Sequence, residues 1–96
     1  MPSYLTLLNW TDQGVQSLRN APNPAEATRK MAEAAGGRLI YFYMLMGDYD
    51  MATLVELPND EAGAKFLLAL GAQGNLRTKT MRAFTEEETR NLIASV

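Results

Sequence analysis

Histidine and cysteine are both absent from this chain of 96 residues. Without them the chain has no thiolate nucleophile, no histidine-based triad, no zinc site of thiolates or imidazoles, and none of the usual haem ligands. Disulfide bonds are excluded as well, so the fold depends on its hydrophobic core. Any catalysis would have to use carboxylates, tyrosines, lysines, arginines or a bound cofactor. The sequence itself indicates no metal site and no cofactor.

Long apolar runs and an excess of basic residues are also lacking. No segment approaches the ~18 consecutive apolar residues of a membrane span, and the N-terminus lacks the pattern of a signal peptide. We therefore expect a cytoplasmic protein with no membrane partner. The net charge of −2 argues against a nucleic-acid partner, and the basic cluster of Arg77, Lys79 and Arg82 is typical of a solvated strand edge. The length predicts a single domain over residues 1–96.

Four β-prone segments and four helical segments follow one another along the chain. The helices begin after residues that favour the N-cap position, which are Thr11, Asn23, Asn59 and Thr85. Glu88 completes a capping box with Thr85, so the acidic run 86–88 indicates a helix start rather than a metal site. The predicted strands cover residues 3–10, 38–46, 51–57 and 76–84. The predicted helices cover residues 13–18, 24–35, 61–70 and 86–95.

This order, β-α-β-β-α-β followed by a terminal helix, predicts an α+β fold of the ferredoxin-like class. In that fold two helices cover one face of a four-stranded antiparallel sheet and leave the other face bare. The first strand is apolar on both faces, since Leu5 and Leu7 alternate with Tyr4, Leu8 and Trp10, and such a strand is buried on both. We therefore expect a second copy to cover the bare face, sheet to sheet, in a homodimer or a larger oligomer.

A cavity between two such sheets would be lined by one alternate set of residues from each strand. We predict that the ligand-binding residues are Thr6, Trp10, Tyr41, Tyr43, Thr80 and Arg82, with Tyr4, Leu8 and Thr78 beside them. Apolar walls with a few hydroxyl groups and one cation suit a small molecule that is partly aromatic or acidic. The alternation does not decide which set faces the helices, because a shift of one residue exchanges the two faces. Residues 11–22 could form either a lid over this cavity or an ordinary packed helix that breaks at Asn20-Ala21-Pro22.

The stretch Gly47-Asp48-Tyr49-Asp50 allows two interpretations. As a hairpin turn, glycine supplies a positive φ and the aspartates accept bonds from nearby amides. As a catalytic site, Asp48 or Asp50 would act as a general base and Tyr49 as a proton donor. We favour the turn, because nothing else in the sequence supplies a partner for the base.

Three stretches together, LLNWTDQG, MGDYDMATLVELP and GNLRTKTMRAFT, resemble the small bacterial GYD domain family. They occur in corresponding order and span nearly the whole chain. The resemblance implies a bacterial protein with the fold of the dimeric α/β-barrel group, but it implies no particular reaction. Relatives in that wider group include cofactor-independent monooxygenases and haem-handling enzymes, and the lack of histidine argues against histidine-ligated haem in this chain.

Three functions are compatible with these observations. The favoured one is a homo-oligomer that binds a small molecule without chemistry. The second is a cofactor-independent enzyme, monooxygenase- or isomerase-like, that uses Asp48 or Asp50 together with tyrosines. The third is a structural oligomer without a ligand.

Overall fold

One antiparallel sheet forms the centre of the protein in the computed structural model, which describes residues 1–20 and 23–96. The strands are β1 (Ser3–Trp10), β2 (Arg38–Met44), β3 (Met51–Glu56) and β4 (Leu76–Ala83), in the spatial order β2-β3-β1-β4. The helices are α1 (Asp12–Gln16), α2 (Pro24–Ala34), α3 (Asp60–Ala72) and α4 (Glu86–Ala94). This arrangement confirms the predicted ferredoxin-like α+β fold with a C-terminal helix. No described helix is both long enough and apolar enough to span a membrane.

Local capping determines where the helices begin and end. The Oγ1 of Thr11 accepts from the Gly14 amide at 3.1 Å, and the side chain of Asn23 accepts from two amides at the start of α2. Thr85 and Glu88 form the full reciprocal capping box of α4. Gly36 ends α2 in the left-handed region, with a φ of +88°. The predicted caps are therefore confirmed.

The hydrophobic core lies between the sheet and the helices α2 and α3. It consists of the buried side chains Tyr4, Ala32, Val55, Leu57, Phe66 and Leu70. Tyr4 anchors this layer, because its hydroxyl donates to Asp60 Oδ1 at 2.5 Å. Its ring lies so close to Gly63 that a Cβ there would be 3.1 Å from Cζ. The face of the sheet that carries Tyr4 is thus the face covered by helices.

The segment after β1 is a packed element rather than a detached lid. The Thr11 amide donates to the Asn75 carbonyl at 3.0 Å, and the Thr11 hydroxyl donates to the Gly74 carbonyl at 2.6 Å. Gly14, on α1, is buried beside Trp10. The predicted break in the chain includes Ala21 and Pro22, which lie outside the described residues.

The hairpin of β2 and β3 differs from the prediction at one end. β2 ends at Met44, two residues before the predicted end, and its pairing with β3 shifts between Leu39 and Tyr41. The Leu45 amide donates to the Asp50 carbonyl at 2.8 Å. This bond closes a wider turn than the four residues of the GDYD stretch.

Candidate functional site

The strand register decides which residues share a face of the sheet. Tyr4 pairs with Val55 on β3 and with Arg82 on β4, so these three residues lie on the helix-covered side. The same alternation places Thr6, Trp10 and Thr80 there. Tyr41 pairs with Leu54, and Tyr43 with Ala52, which lie on the opposite side.

The structure therefore does not bring the six predicted ligand-binding residues together. Four of them, Thr6, Trp10, Thr80 and Arg82, lie on the side of the helices, and only Tyr41 and Tyr43 lie on the uncovered side. The prediction that the six share one face is wrong. The physical reason is that both alternate sets of β1 are largely apolar, so hydrophobicity alone cannot distinguish the two faces.

The four residues on the helix-covered side make internal contacts. The hydroxyl groups of Thr6 and Thr80 lie 2.8 Å apart in a mutual hydrogen bond. The Arg82 guanidinium lies over the Phe84 ring at 4.4 Å and donates to the Ser3 carbonyl at 3.4 Å. Trp10 lines a cavity of about 100 Å³ near α1, α2 and α3. This is smaller than the ~300 Å³ at which ligand pockets usually begin.

The other side of the sheet, which we call the uncovered sheet face, carries two rows of side chains that cross all four strands and are apolar except for Lys79. The first row is Tyr41, Leu54, Leu5 and Met81, and the second is Tyr43, Ala52, Leu7 and Lys79. Tyr41 and Tyr43 stack with their ring centroids 6.1 Å apart, and both are more than half exposed. No described helix covers these rows. A stripe of this kind on a folded protein indicates a binding surface.

Two cations lie at one end of the uncovered sheet face. Arg77 and Lys79 point from β4 beside Tyr49 and Asn9, and together they line a shallow depression of about 170 Å³. Neither cation has a salt-bridge partner among the described residues. An anionic group at this end would meet two cations and a phenol.

The GDYD stretch lies at the same end of the sheet. The Asp50 amide donates to the Leu8 carbonyl at 2.9 Å, and the Asp50 carboxylate accepts from the Trp10 amide at 3.0 Å. Gly47 has a φ of +143°, which glycine tolerates. Asp48 is exposed, and Tyr49 is half-buried at the charged depression. Asp50 thus holds the turn against β1, which is a structural use of its carboxylate.

Burial perturbs one tyrosine on the helix-covered side. Desolvation raises the pKa of Tyr4 above its ordinary value of 10.0, and the hydrogen bond to Asp60 raises the pKa further. The Arg82 guanidinium, 5.9 Å from the ring centroid, acts in the opposite direction. Tyr4 therefore stays protonated at neutral pH and serves as a donor in the core.

A third concavity lies between α2 and α3. This groove has a volume of about 620 Å³ and is wide open to solvent. Its walls include Met31, Ala62, Phe66 and Ala69. Lys65, at its rim, already pairs with a glutamate on the same helix. The groove lacks convergent polar groups of the kind found at the charged end of the sheet.

Sequence reasoning missed several residues of the uncovered sheet face. These are Leu5, Leu7, Leu54, Met81 and Lys79, which belong to the alternate set that the prediction did not choose. Helix-capping residues and the glycines and prolines of turns do not indicate which face of the sheet the helices leave uncovered. No local signal identifies it, because the bond from the Tyr4 hydroxyl to Asp60 joins residues 56 positions apart.

The fold is that of a small ferredoxin-like α+β domain, with one face of the sheet under helices and the other uncovered by any described helix. The chain belongs to the GYD domain family, whose model matches residues 4–93. A protein of Thermus thermophilus named "Glutamine synthetase and cystathionine beta-lyase binding protein" is 29% identical over 84 residues. The match covers 86% of this chain and 88% of that protein.

Solved structures share the fold at lower identity. The feast-or-famine regulatory protein of M. tuberculosis, complexed with L-methionine, matches 88% of this chain with a TM-score of 0.60 and 18% identity. This chain spans about half of that regulatory protein, 51% of its length. A hypothetical protein of Pyrococcus horikoshii matches 90% of this chain and 93% of its own length, with a TM-score of 0.60 and 19% identity.

Proposed function

We propose that this protein is a binding protein of the bacterial cytoplasm that works without chemistry as a homo-oligomer, most simply a dimer. Two copies pair through their uncovered sheet faces and hold a small acidic or partly aromatic molecule between them. The observation that carries the proposal is the pair of rows, apolar except for Lys79, that crosses all four strands and ends in the exposed, stacked rings of Tyr41 and Tyr43.

Covering this face with a second copy would bury apolar side chains that are in contact with solvent in a single chain. Leu5, Leu7 and Leu54 are only partly covered within one chain. Full burial of an exposed leucine is worth ~1.5–3 kcal/mol, and the dimer would add the part of this that each side chain has not yet gained. The first row of the face, Tyr41, Leu54, Leu5 and Met81, carries no charged side chain. A two-fold axis would place this face of one copy against the same face of the other, as an isologous interface requires.

The ligand chemistry follows from the charged end of the face. Arg77 and Lys79 would pair with an anionic group, while Tyr49 could donate a hydrogen bond or stack on a ring. The position of Asp50 supports binding rather than catalysis, because its carboxylate accepts from the Trp10 amide. The name of the Thermus relative, a binding protein, also supports a role in binding.

The test is native mass spectrometry together with sedimentation of the protein purified gently from cells. We expect a dimer that retains a small extra mass. Replacing Leu7 with lysine should raise the dimer dissociation constant at least a hundredfold, since each copy would bury a charge. The matched control is Leu68→Lys on α3, because Leu68 is 73% exposed and lies away from the sheet.

The ligand has its own pair of variants. Arg77→Met with Lys79→Met should remove the extra mass, whereas Lys30→Met on α2 should leave the extra mass bound. A monomeric wild-type protein would overturn the proposal. Retention of the extra mass in the double variant would overturn the assigned ligand site.

Binding of a partner enzyme is a second candidate, favoured by the name of the Thermus relative. In this case the uncovered sheet face would take a protein surface in place of a second copy. The same sedimentation experiment separates the two, because the protein alone would then be monomeric. A stoichiometric complex with a purified enzyme, lost in Leu7→Lys and kept in Leu68→Lys, would support this candidate.

A further inference from the structure

The C-terminal helix α4 is well capped but packs little against the other described elements. None of its residues is buried. Leu92 is 50% exposed and Ile93 is 68% exposed. The extensive packing contacts of the described chain join the strands with one another and with α1, α2 and α3, and α4 takes part in none of them.

A helix of this length is not stabilised enough by its own backbone hydrogen bonds to persist alone in water. Nine residues span about 13 Å, and helices shorter than ~12 residues are marginal in water. The capping box of Thr85 and Glu88 and the acidic first turn favour the helix, but they do not cover Leu92 and Ile93. Leu92 borders a shallow depression with Phe84, but the apolar side of the helix is not buried by any of the described residues.

The sheet faces alone provide less interface area than a stable dimer usually buries. The strands have six to eight residues, so a spacing of ~4.8 Å and a length of at most ~26 Å give the sheet a projected area of at most ~500 Å². A stable interface usually buries ~800 Å² per partner. One helix side from each copy would supply the missing area, so the unpartnered helix and the small sheet face complement each other.

Charge indicates where α4 would lie. Its first turn carries Glu87 and Glu86, of which Glu86 also lies 3.8 Å from Arg90 on the same helix. This turn follows shortly after the Ala83 end of β4. The unpaired cations Arg77 and Lys79 lie toward the other end of that strand, ~13–20 Å away at 3.3 Å per residue. Within one chain the acidic turn therefore stays distant from them.

We propose that α4 docks on a second copy of this chain, at the end of the uncovered sheet face where Arg77 and Lys79 lie. This inference rests on the proposed pairing of sheet faces. A two-fold axis that crosses the strands places the Ala83 end of one copy over the Arg77 end of the other. The acidic turn of α4 then meets the cations of the partner, while Leu92 and Ile93 cover apolar surface beside them.

Sedimentation equilibrium of the full chain tests the apolar contact. The variant Leu92→Asp with Ile93→Asp should raise the dimer dissociation constant at least tenfold. The matched control is Leu68→Asp, an exposed leucine on α3 that should leave the constant unchanged. Because α4 buries nothing within the chain, circular dichroism should show the sheet and core intact in both variants.

Charge reversal tests the direction of docking. Glu86→Lys with Glu87→Lys should weaken the dimer, and adding Arg77→Glu with Lys79→Glu should restore it at least partly. Either pair alone should weaken it. No weakening by the first pair, or no restoration in the combined variant, would overturn the assigned surface.

Disulfide trapping gives a geometric test, because the natural chain has no cysteine. Copies carrying Ile93→Cys, mixed with copies carrying Lys79→Cys, should form a mixed disulfide faster than a mixture of Leu68→Cys and Lys79→Cys copies. Preferential trapping of Ile93→Cys by Arg38→Cys, at the opposite end of the sheet, would contradict the docking.

These outcomes are distinct from those of the proposed function. If Leu7→Lys dissociates the dimer while the α4 variants leave its constant unchanged, the sheet pairing stands and the docking of α4 is wrong. If the wild-type protein is monomeric, both are wrong.

Discussion

A pair of glycine-to-alanine substitutions gives opposite predictions for the same chemical change. Gly14, on α1, is buried, and a Cβ at this position would overlap the carbonyl oxygen of Asn75 and lie 3.1 Å from Trp10 Cδ1. The Asn75 carbonyl cannot move freely, because it accepts from the Thr11 amide at 3.0 Å. Gly71, on α3, has no neighbouring atom within 4 Å of such a Cβ.

The magnitudes follow from these contacts. At Gly14 the overlap should cost ~1–3 kcal/mol, and loss of the Thr11–Asn75 hydrogen bond should add about 1 kcal/mol. The better helix propensity of alanine offsets about 1 kcal/mol of this destabilisation. We therefore expect Gly14→Ala to lower the free energy of unfolding by ~1–3 kcal/mol. Gly71→Ala meets no obstacle and should raise that free energy by ~0.5–1 kcal/mol.

Urea unfolding, followed by circular dichroism at one fixed protein concentration, measures both variants. The concentration must be the same because subunit association contributes to apparent stability. The midpoint should move down for Gly14→Ala and up for Gly71→Ala, with the slope unchanged. A Gly14→Ala protein as stable as the wild type would refute the packing of α1 against the turn at Asn75.

Two further predictions concern polar anchors. Asp50→Ala should lower the free energy of unfolding by ~1–2 kcal/mol in urea titrations, because the Trp10 amide loses its acceptor; the exposed Asp48→Ala should change it by less than ~0.5 kcal/mol, and equal effects would contradict the structural role. Tyr4 keeps its proton to higher pH in the folded chain than in the unfolded chain, since burial first and then Asp60 raise its pKa above 10.0, so its contribution is full below pH 10 and is lost above it. The stability advantage of the wild type over Tyr4→Phe should therefore shrink between pH 8 and pH 11, and an unchanged difference in urea midpoints would contradict this.

The features that depend on neighbouring residues were predictable from the sequence. The N-caps at Thr11, Asn23 and Thr85 and the glycine stop at Gly36 act within one helical turn, so the residue types alone indicate them. Their order along the chain then determines the ferredoxin-like topology. The long-range contacts that position β1 and α1 have no such local signature.

The face of the sheet was less predictable, because β1 carries leucines on both sides. The face of β1 that the helices cover becomes evident only from a long-range contact, the hydrogen bond between Tyr4 and Asp60, which lie 56 positions apart. Likewise, β2 ends early because Leu45 bonds to the carbonyl of Asp50, and no local pattern indicates this. The residues of the candidate site were therefore only partly identified, with Tyr41 and Tyr43 as the two on the uncovered sheet face.

The bonds of Asp50 have a consequence for the order in which the chain assembles. Its backbone and carboxylate join the turn after β2 to Leu8 and Trp10, about forty positions away. Closing so long a loop is slow compared with forming a hairpin of neighbouring strands. We infer that β2 and β3 pair early and that β1 is recruited onto the finished hairpin at Asp50. In this folding order, β1 is the central strand that docks last, and the GDYD turn is its point of contact on the β2–β3 hairpin.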